Sequence, residues 1–213
     1  RLDAAAEVAA SLGKPARIHL QVETGMHRIG LESTQLEKAV STIRDNPGLF
    51  EIEGICTHYA GAESVSNYLR IQNQIMAYRK FCNDLKSDEI VPRFHHTACS
   101  AATLTYPETI MDLVRIGIAQ YGFWPSRETF MYYQKNHNNG RFSDPLNRVL
   151  TWKSVVMSTK EVEAGEFVGY GNEYLTNRTQ QIANIPIGYA HGFARNLSNL
   201  GDRKSTRLNS SHR

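Results

Sequence analysis

The stretch "RFHHTACSAATLTYPETIMDLVRIGIAQYG", residues 93–122, decides the fold. "RFHHTAC" reads as a strand, "SAATL" as a short helix and "LVRIGIAQYG" as a second strand. A helix that carries the chain from one strand to another running the same way is a crossover, and crossovers build parallel sheets. The same alternation extends upstream. "LDAAAEVAASLG" (2–13) is alanine-rich and stops at a glycine, as a helix does. In "RIHLQVETG" (17–25), Ile18, Leu20 and Val22 alternate with polar residues, the period of a strand. "STQLEKAVSTIRDNPG" (33–48) predicts a helix with a Thr34–Glu37 capping box, Leu36, Val40 and Ile43 on one face, and a stop at Pro47-Gly48. "FEIEGICTH" (50–58) is a short apolar strand, and residues 64–86 form a long amphipathic helix with Leu69, Ile75 and Leu85 among its apolar positions.

Residues 1–124 therefore hold four βα repeats. A closed eight-stranded barrel needs about 250 residues. This segment is either a small doubly wound sheet or the second half of a barrel. The texture changes after Trp124-Pro125: residues 126–147 form a polar stretch without period. "LTWKSVVMSTKEV", "EFVGYGNEY" and "RTQQIANIPIGYAHG" are then β-branched and punctuated by glycine. The expected organisation is an α/β unit over 1–124, a linker over 125–145 and a mainly β domain over 146–201. Residues 202–213, "DRKSTRLNSSHR", are polar and aperiodic and resemble a translated cloning or sequencing adapter, so they are read as a non-native tail. The chain opens on Arg1 inside a helix, so the natural amino terminus is expected upstream.

Composition narrows the function. The chain has 213 residues, 41% hydrophobic and 21% charged, an ordinary globular balance with a net charge of +3. Part of that charge lies in the last dozen residues, so nucleic acid is not indicated. No apolar run approaches the ~20 residues of a membrane helix. Three cysteines, Cys56, Cys82 and Cys99, form no CxxC pair and fit reduced thiols in the cytoplasm. Eight histidines include no HxxxH or HExxH, so no metal site is expected. His95 and His96 are neighbours on a strand and point to opposite faces. P-loop, GxGxxG and GxSxG patterns are missing, which argues against nucleotide, dinucleotide and serine-hydrolase chemistry.

Function in a parallel α/β fold gathers at the carboxyl ends of the strands. There stand Arg28 in "TGMHRIG", His58, Ser100 at the start of a helix, Arg115, and Gly117-Ile118 with free backbone N–H groups. One by one these are ordinary capping or solvated residues. As a set they suit an anionic, planar ligand: hydroxyl and successive N–H groups bind phosphate, and arginine offers a fixed cationic fork. Tyr189, in "IPIGYAHGFAR" (185–195), stands between two glycines, either at a plain turn that ends a strand or at a bend that aims its phenol at a ligand.

The ordered motifs "HLQVETGMHRIGL", "GICTHYAG", "HHTACSAA", "VRIGIAQYG" and "IANIPIGYAHGFAR" resemble those of alanine racemases over residues 1–201. The resemblance implies the carboxyl-terminal half of a TIM-type (β/α)8 barrel binding pyridoxal 5′-phosphate, followed by the start of a mainly β domain. It implies a cytoplasmic homodimer that interconverts L- and D-alanine by two-base proton transfer and supplies D-alanine for peptidoglycan. By that likeness Arg115 faces the cofactor's pyridine nitrogen, and Ser100 with the backbone of Gly117 and Ile118 holds its phosphate. His58 bridges Arg115 and the phenol, Arg28 orients cofactor and substrate carboxylate, and Tyr189 is the catalytic phenol that enters the partner's barrel. A tyrosine titrating near ~10 needs cations nearby to act as a base at neutral pH. An arginine, with a pKa above ~12, leaves the ring nitrogen unprotonated.

Three departures accompany the likeness. The family's cofactor lysine, followed four residues later by a tyrosine, belongs to the first barrel strand. Lys14 lacks that context, so these residues alone are expected to be inactive. Cys99 stands where the family has asparagine, and His191 where it has aspartate. The alternatives are a non-catalytic pyridoxal-phosphate-binding barrel, a broad-specificity racemase or a barrel-type decarboxylase. A decarboxylase is expected to carry an acid where Arg115 stands.

Overall fold

The computed structural model describes residues 1–137 and 143–200. The chain divides into two compact units, residues 1–150 and residues from 151 onward. In the first, α1 (Leu2–Leu12) ends at Gly13, whose φ of 61° is the left-handed cap glycine adopts without steric cost. Strands β1 (Ala16–Gln21), β2 (Phe50–Cys56) and β3 (Phe94–His96) form a parallel sheet in the order β1-β2-β3. Helices α2 (Ser33–Arg44) and α3 (Tyr68–Ser87) make the crossovers. Leu20 and Val22 of the first strand segment, Leu36 and Val40 of α2, Ile55 of β2, and Tyr78, Phe81 and Leu85 of α3 form one buried cluster. Burying each such side chain is worth roughly 1.5–3 kcal/mol.

Strand β2 contains a bulge that sets this core. Ile18 pairs with Ile52 and His19 with Gly54, so Glu53 has no partner on β1. Ile52 and Ile55 lie three apart and would face opposite sides of a regular strand. The extra residue lets Ile55 join the buried cluster while Ile52 packs against it. The other face of the sheet is polar: Arg17 meets Glu51 and Glu53, and His19 meets His96. The two adjacent histidines of β3 diverge as expected. His95 Nδ1 reaches Tyr78 Oη at 3.2 Å on the α3 side, and His96 points to the polar face.

Several expectations are corrected. In α3 the buried stripe is Ile71, Gln74, Ile75, Tyr78, Phe81 and Leu85, whereas Leu69 is 75% exposed because it lies off that stripe. Helix α2 is capped two residues earlier than the Thr34–Glu37 box: Glu32 is the N-cap, and its N–H donates to Gln35 Oε1 at 3.0 Å. The fourth strand contracts to one bridge between Cys99 and Arg115, followed by a 3₁₀ turn at Ile118–Tyr121. The N–H of Gly117 goes to a serine hydroxyl instead of a ladder, so the strand cannot propagate. Residues 125–145, read as a linker, carry helix α5 (Arg127–His137) within the first unit, with residues 138–142 outside the described set.

The second unit holds an antiparallel pair, β4 (Ser158–Val162) and β5 (Gln180–Asn184). Of the β-rich stretches 150–162 and 166–174, only Ser158–Val162 forms a strand. Leu150, Trp152, Val155, Val156 and Met157 stay exposed, and strand propensity without a partner does not make a strand. Gly169 and Gly171 have φ of 81° and 76°, which breaks the extended run after the single Phe167–Leu175 bridge. Thr176 anchors this unit: it is 1% exposed, donates to Glu163 O and accepts from the Glu166 N–H. The segment 202–213 lies outside the described residues. No helix among the described residues is long and apolar enough to cross a membrane.

Candidate active site

Beyond the strand ends of the first unit lies a hollow of about 340 Å³ lined by His58, Ser100, Arg115, Gly117 and Ile118, with Glu63 and Cys99 at its wall. Five residues singled out by sequence thus share one concavity. Ser100 opens helix α4 (Ser100–Thr105), with Cys99 at the N-cap. It is 5% exposed, and its Oγ accepts the N–H of Gly117 at 2.8 Å and of Ala119 at 3.4 Å. The Gly117 N–H, expected to be free, is thus taken by the serine, and at this end of the hollow the group with a proton to offer a phosphate is the Ser100 hydroxyl itself.

Arg115 forms the other end. Its Nη1 donates to His96 O at 2.8 Å and to His96 Nδ1 at 2.5 Å. Its Nη2 donates to Thr57 O at 2.5 Å and to Thr97 O at 3.4 Å. A half-buried guanidinium tied to backbone on two strands is a fixed fork. Burial pushes the His96 imidazole down to about 4, helped by the charge of Arg115 and the neighbouring histidines. His96 is therefore neutral at physiological pH and can accept from the arginine. Burial also lowers His58, together with the Arg115 and Arg28 charges, against an opposing contribution from Glu63. His58 makes no hydrogen bond to Arg115; that place on the guanidinium is taken by His96, which sequence reasoning had not assigned. The available signal was strand parity, since His96 shares the polar face with His19 two strands away.

Arg28 does not line the hollow. It sits exposed on the loop after β1, close enough for its charge to act on His58. That loop is shaped by Glu23, whose carboxylate accepts three backbone N–H groups: Gly25 at 2.5 Å, Met26 at 2.7 Å and His27 at 3.0 Å. His27 takes a left-handed φ of 56°, and Gly30, φ 142°, passes so close to the backbone of Glu23 that a Cβ there would meet it at 2.7 Å. Tyr189 belongs to the second unit. It begins a 3₁₀ turn, is 69% exposed, and follows Gly188, whose N–H donates to His191 Nδ1 at 3.3 Å. The histidine that departs from the family pattern thus braces the bend that carries the phenol. Among the described residues no cluster of three or more His, Cys, Asp or Glu could hold a metal.

Comparison with known proteins supplies the family. Alanine racemase 1 of Oceanobacillus iheyensis is 34% identical over 200 residues, which cover 94% of this chain and 50% of that protein. Among solved structures, alanine racemase from D-cycloserine-producing Streptomyces lavendulae superposes with a TM-score of 0.78 at 32% identity, covering 92% of this chain and 49% of that one. Alanine racemase from Bartonella henselae with covalently bound pyridoxal phosphate gives 0.63 at 27% identity, covering 90% and 48%. The chain spans about half the length of the curated relatives it matches. Residues 1–125 match the alanine racemase N-terminal domain and residues 149–210 the C-terminal domain. With strand-end groups of the expected kinds meeting in one hollow and both domain descriptions matched in order, the chain belongs to the alanine racemase family.

Proposed function

We propose that the protein containing these residues interconverts L- and D-alanine with pyridoxal 5′-phosphate in the cytoplasm, as a homodimer. The observation that carries the proposal is the shared hollow, with a buried serine hydroxyl and converging amides at one end and a pinned guanidinium at the other. These residues fit the cofactor: the Ser100 hydroxyl and the N–H of Ile118 would hold its phosphate, joined by the N–H of Gly117 once the phosphate replaces the serine oxygen as its acceptor, and Arg115 would face its ring nitrogen. Bound there, pyridoxal phosphate supplies the electron sink that makes the α-proton of an amino acid labile. The racemase from Bartonella henselae, crystallised with covalently bound pyridoxal phosphate, supports the assignment.

The chain's own residues then do the positioning and proton transfer. Arg115 donates hydrogen bonds without surrendering a proton, so the ring nitrogen beside it stays neutral. Tyr189 takes or returns the α-proton at its phenolic oxygen, serving the hollow of a second subunit. The cationic Arg28 and Arg115, whose charges both act on His58, would stabilise the phenolate this requires. Cytoplasmic placement is supported by three unpaired cysteines.

The test is Tyr189→Phe in the full-length protein, with D-alanine produced from L-alanine measured by coupled oxidation. Loss of a positioned acid–base group should lower kcat by at least ~100-fold with cofactor binding retained. Turnover equal to that of the unmodified protein would remove the phenol from the mechanism.

A further inference from the structure

The polar face of the sheet carries a ladder that ends on Arg115. Arginine has only N–H groups to offer, so His96 Nδ1 must accept from Arg115. A neutral imidazole whose Nδ1 is bare carries its proton on Nε2. That nitrogen lies 2.8 Å from His19 Nδ1, which must in turn accept. The remaining nitrogen of His19, Nε2, faces Glu53 Oε2 at 3.7 Å. Glu53, which only accepts, sets the same directions from the other end, so the series Glu53–His19–His96–Arg115 is held from both.

Two further observations show that the place of His19 is built. A Cβ on Gly54 would stand 2.3 Å from His19 Nδ1 and 2.6 Å from its Cε1, so the ring needs a residue without a side chain beneath it. Phe94, on β3, stacks against the same ring at 6.3 Å with the planes 8° apart. Gly54 pairs with both His19 and Phe94 in the sheet, so three strands cooperate to seat one imidazole.

We propose that His19 is a positioning residue: by holding His96 in its Nε2–H tautomer, it keeps Nδ1 open to the Arg115 guanidinium and fixes the fork at the floor of the hollow. The inference rests on the assignment of Arg115 to the cofactor's ring nitrogen. His19 touches neither the hollow nor the substrate and acts two hydrogen bonds away. Without its acceptor, the Nε2 proton of His96 is left unpaired and Arg115 alone holds the tautomer, weaker by one hydrogen bond; any ring that takes the Nδ1–H form then sets donor against donor at Arg115.

The experiment is the ring ¹⁵N spectrum of histidine-labelled full-length protein, with and without cofactor, for the unmodified protein, His19→Leu, His19→Asn and Gly54→Ala. In the unmodified protein His96 should be neutral with a bare Nδ1. His19→Leu and Gly54→Ala should mix the tautomers and lower kcat about tenfold, the worth of one hydrogen bond, with the KM for alanine unchanged. His19→Asn places an amide oxygen near the former Nδ1 and should restore the tautomer and most of the kcat. An Nδ1–H tautomer or a protonated His96 in the unmodified protein overturns the proposal, whether or not any variant folds. So does a His96 signal and kcat indifferent to His19→Leu. A full-length protein that neither binds the cofactor nor racemises alanine refutes the function instead, and the ring spectrum still decides the ladder.

Discussion

Removing the Glu23 carboxylate should free the loop that carries Arg28. Glu23 accepts three backbone N–H groups within a turn that also contains a left-handed His27. Hydrogen bonds to an ionised group contribute about 1.5–3 kcal/mol each when sheltered. Glu23 is only partly buried and water can replace it, so about 1 kcal/mol each is the fitting value, or about 3 kcal/mol for Glu23→Ala. At 1.4 kcal/mol per decade, the amides of 25–27 should exchange roughly a hundredfold faster, while the α2 and α3 amides hold their rates. Glu23→Gln keeps an oxygen for two of the donors but turns an amide toward the His27 N–H, and should cost about half as much. The charge matters too. Burial opposes ionisation of Glu23, but the three N–H bonds and the nearby His27 charge outweigh it and lower the carboxyl below its usual value. A carboxyl lowered by folding stabilises above the unfolded value of about 4.3, and the contribution vanishes as pH falls through the folded value. Local protection should therefore hold at neutral pH and fade in acid. Amide exchange by mass spectrometry or NMR on the full-length protein reads all of this. Unchanged exchange at 25–27 in Glu23→Ala would refute the claim that this carboxylate shapes the loop.

Ile71→Ala removes a fully buried side chain and should cost about 2–5 kcal/mol in urea unfolding, whereas Leu69→Ala, 75% exposed two positions away, should stay within about 0.5 kcal/mol of zero. Gly122→Ala combines a φ of 79° with a Cβ that would sit 2.1 Å from the Asn147 carbonyl oxygen. It should cost at least ~1–3 kcal/mol and loosen residues 147–150, visible as faster limited proteolysis there; an unchanged cleavage pattern would contradict the close approach.

The parallel α/β pattern was legible because it rests on periods. Ile18, Leu20 and Val22 alternate, and the stop after α1 is a glycine that the structure places in the left-handed region. The hollow was legible because its residues follow strand ends in sequence. The fourth strand was misread because Arg115, Ile116 and Ile118 have strand propensity, yet their backbone answers to Ser100 and Ala98 across the site. The β2 bulge was invisible: whether Glu53 pairs depends on which isoleucines the helices select, a tertiary matter. The role of His96 was half visible, since its face could be read but not the arginine waiting on it. In the second unit, the β-branched stretch 150–162 becomes a strand over Ser158–Val162 alone, because composition does not reveal where a pairing partner is within reach.

The unpaired Glu53 has a consequence for how this strand tolerates editing. Cutting one codon from mid-strand normally inverts everything after it. Here, excising residue 53 would leave Ile52, Gly54 and Ile55 each on the side they already occupy, because the pairing already steps over it. The framework would close seamlessly, and only the acid at the far rung would be subtracted. An excision at 52 or 54 would also use up the spare residue, but Glu53 would then take the vacated rung, setting an acid opposite Ile18 or a side chain against the His19 ring.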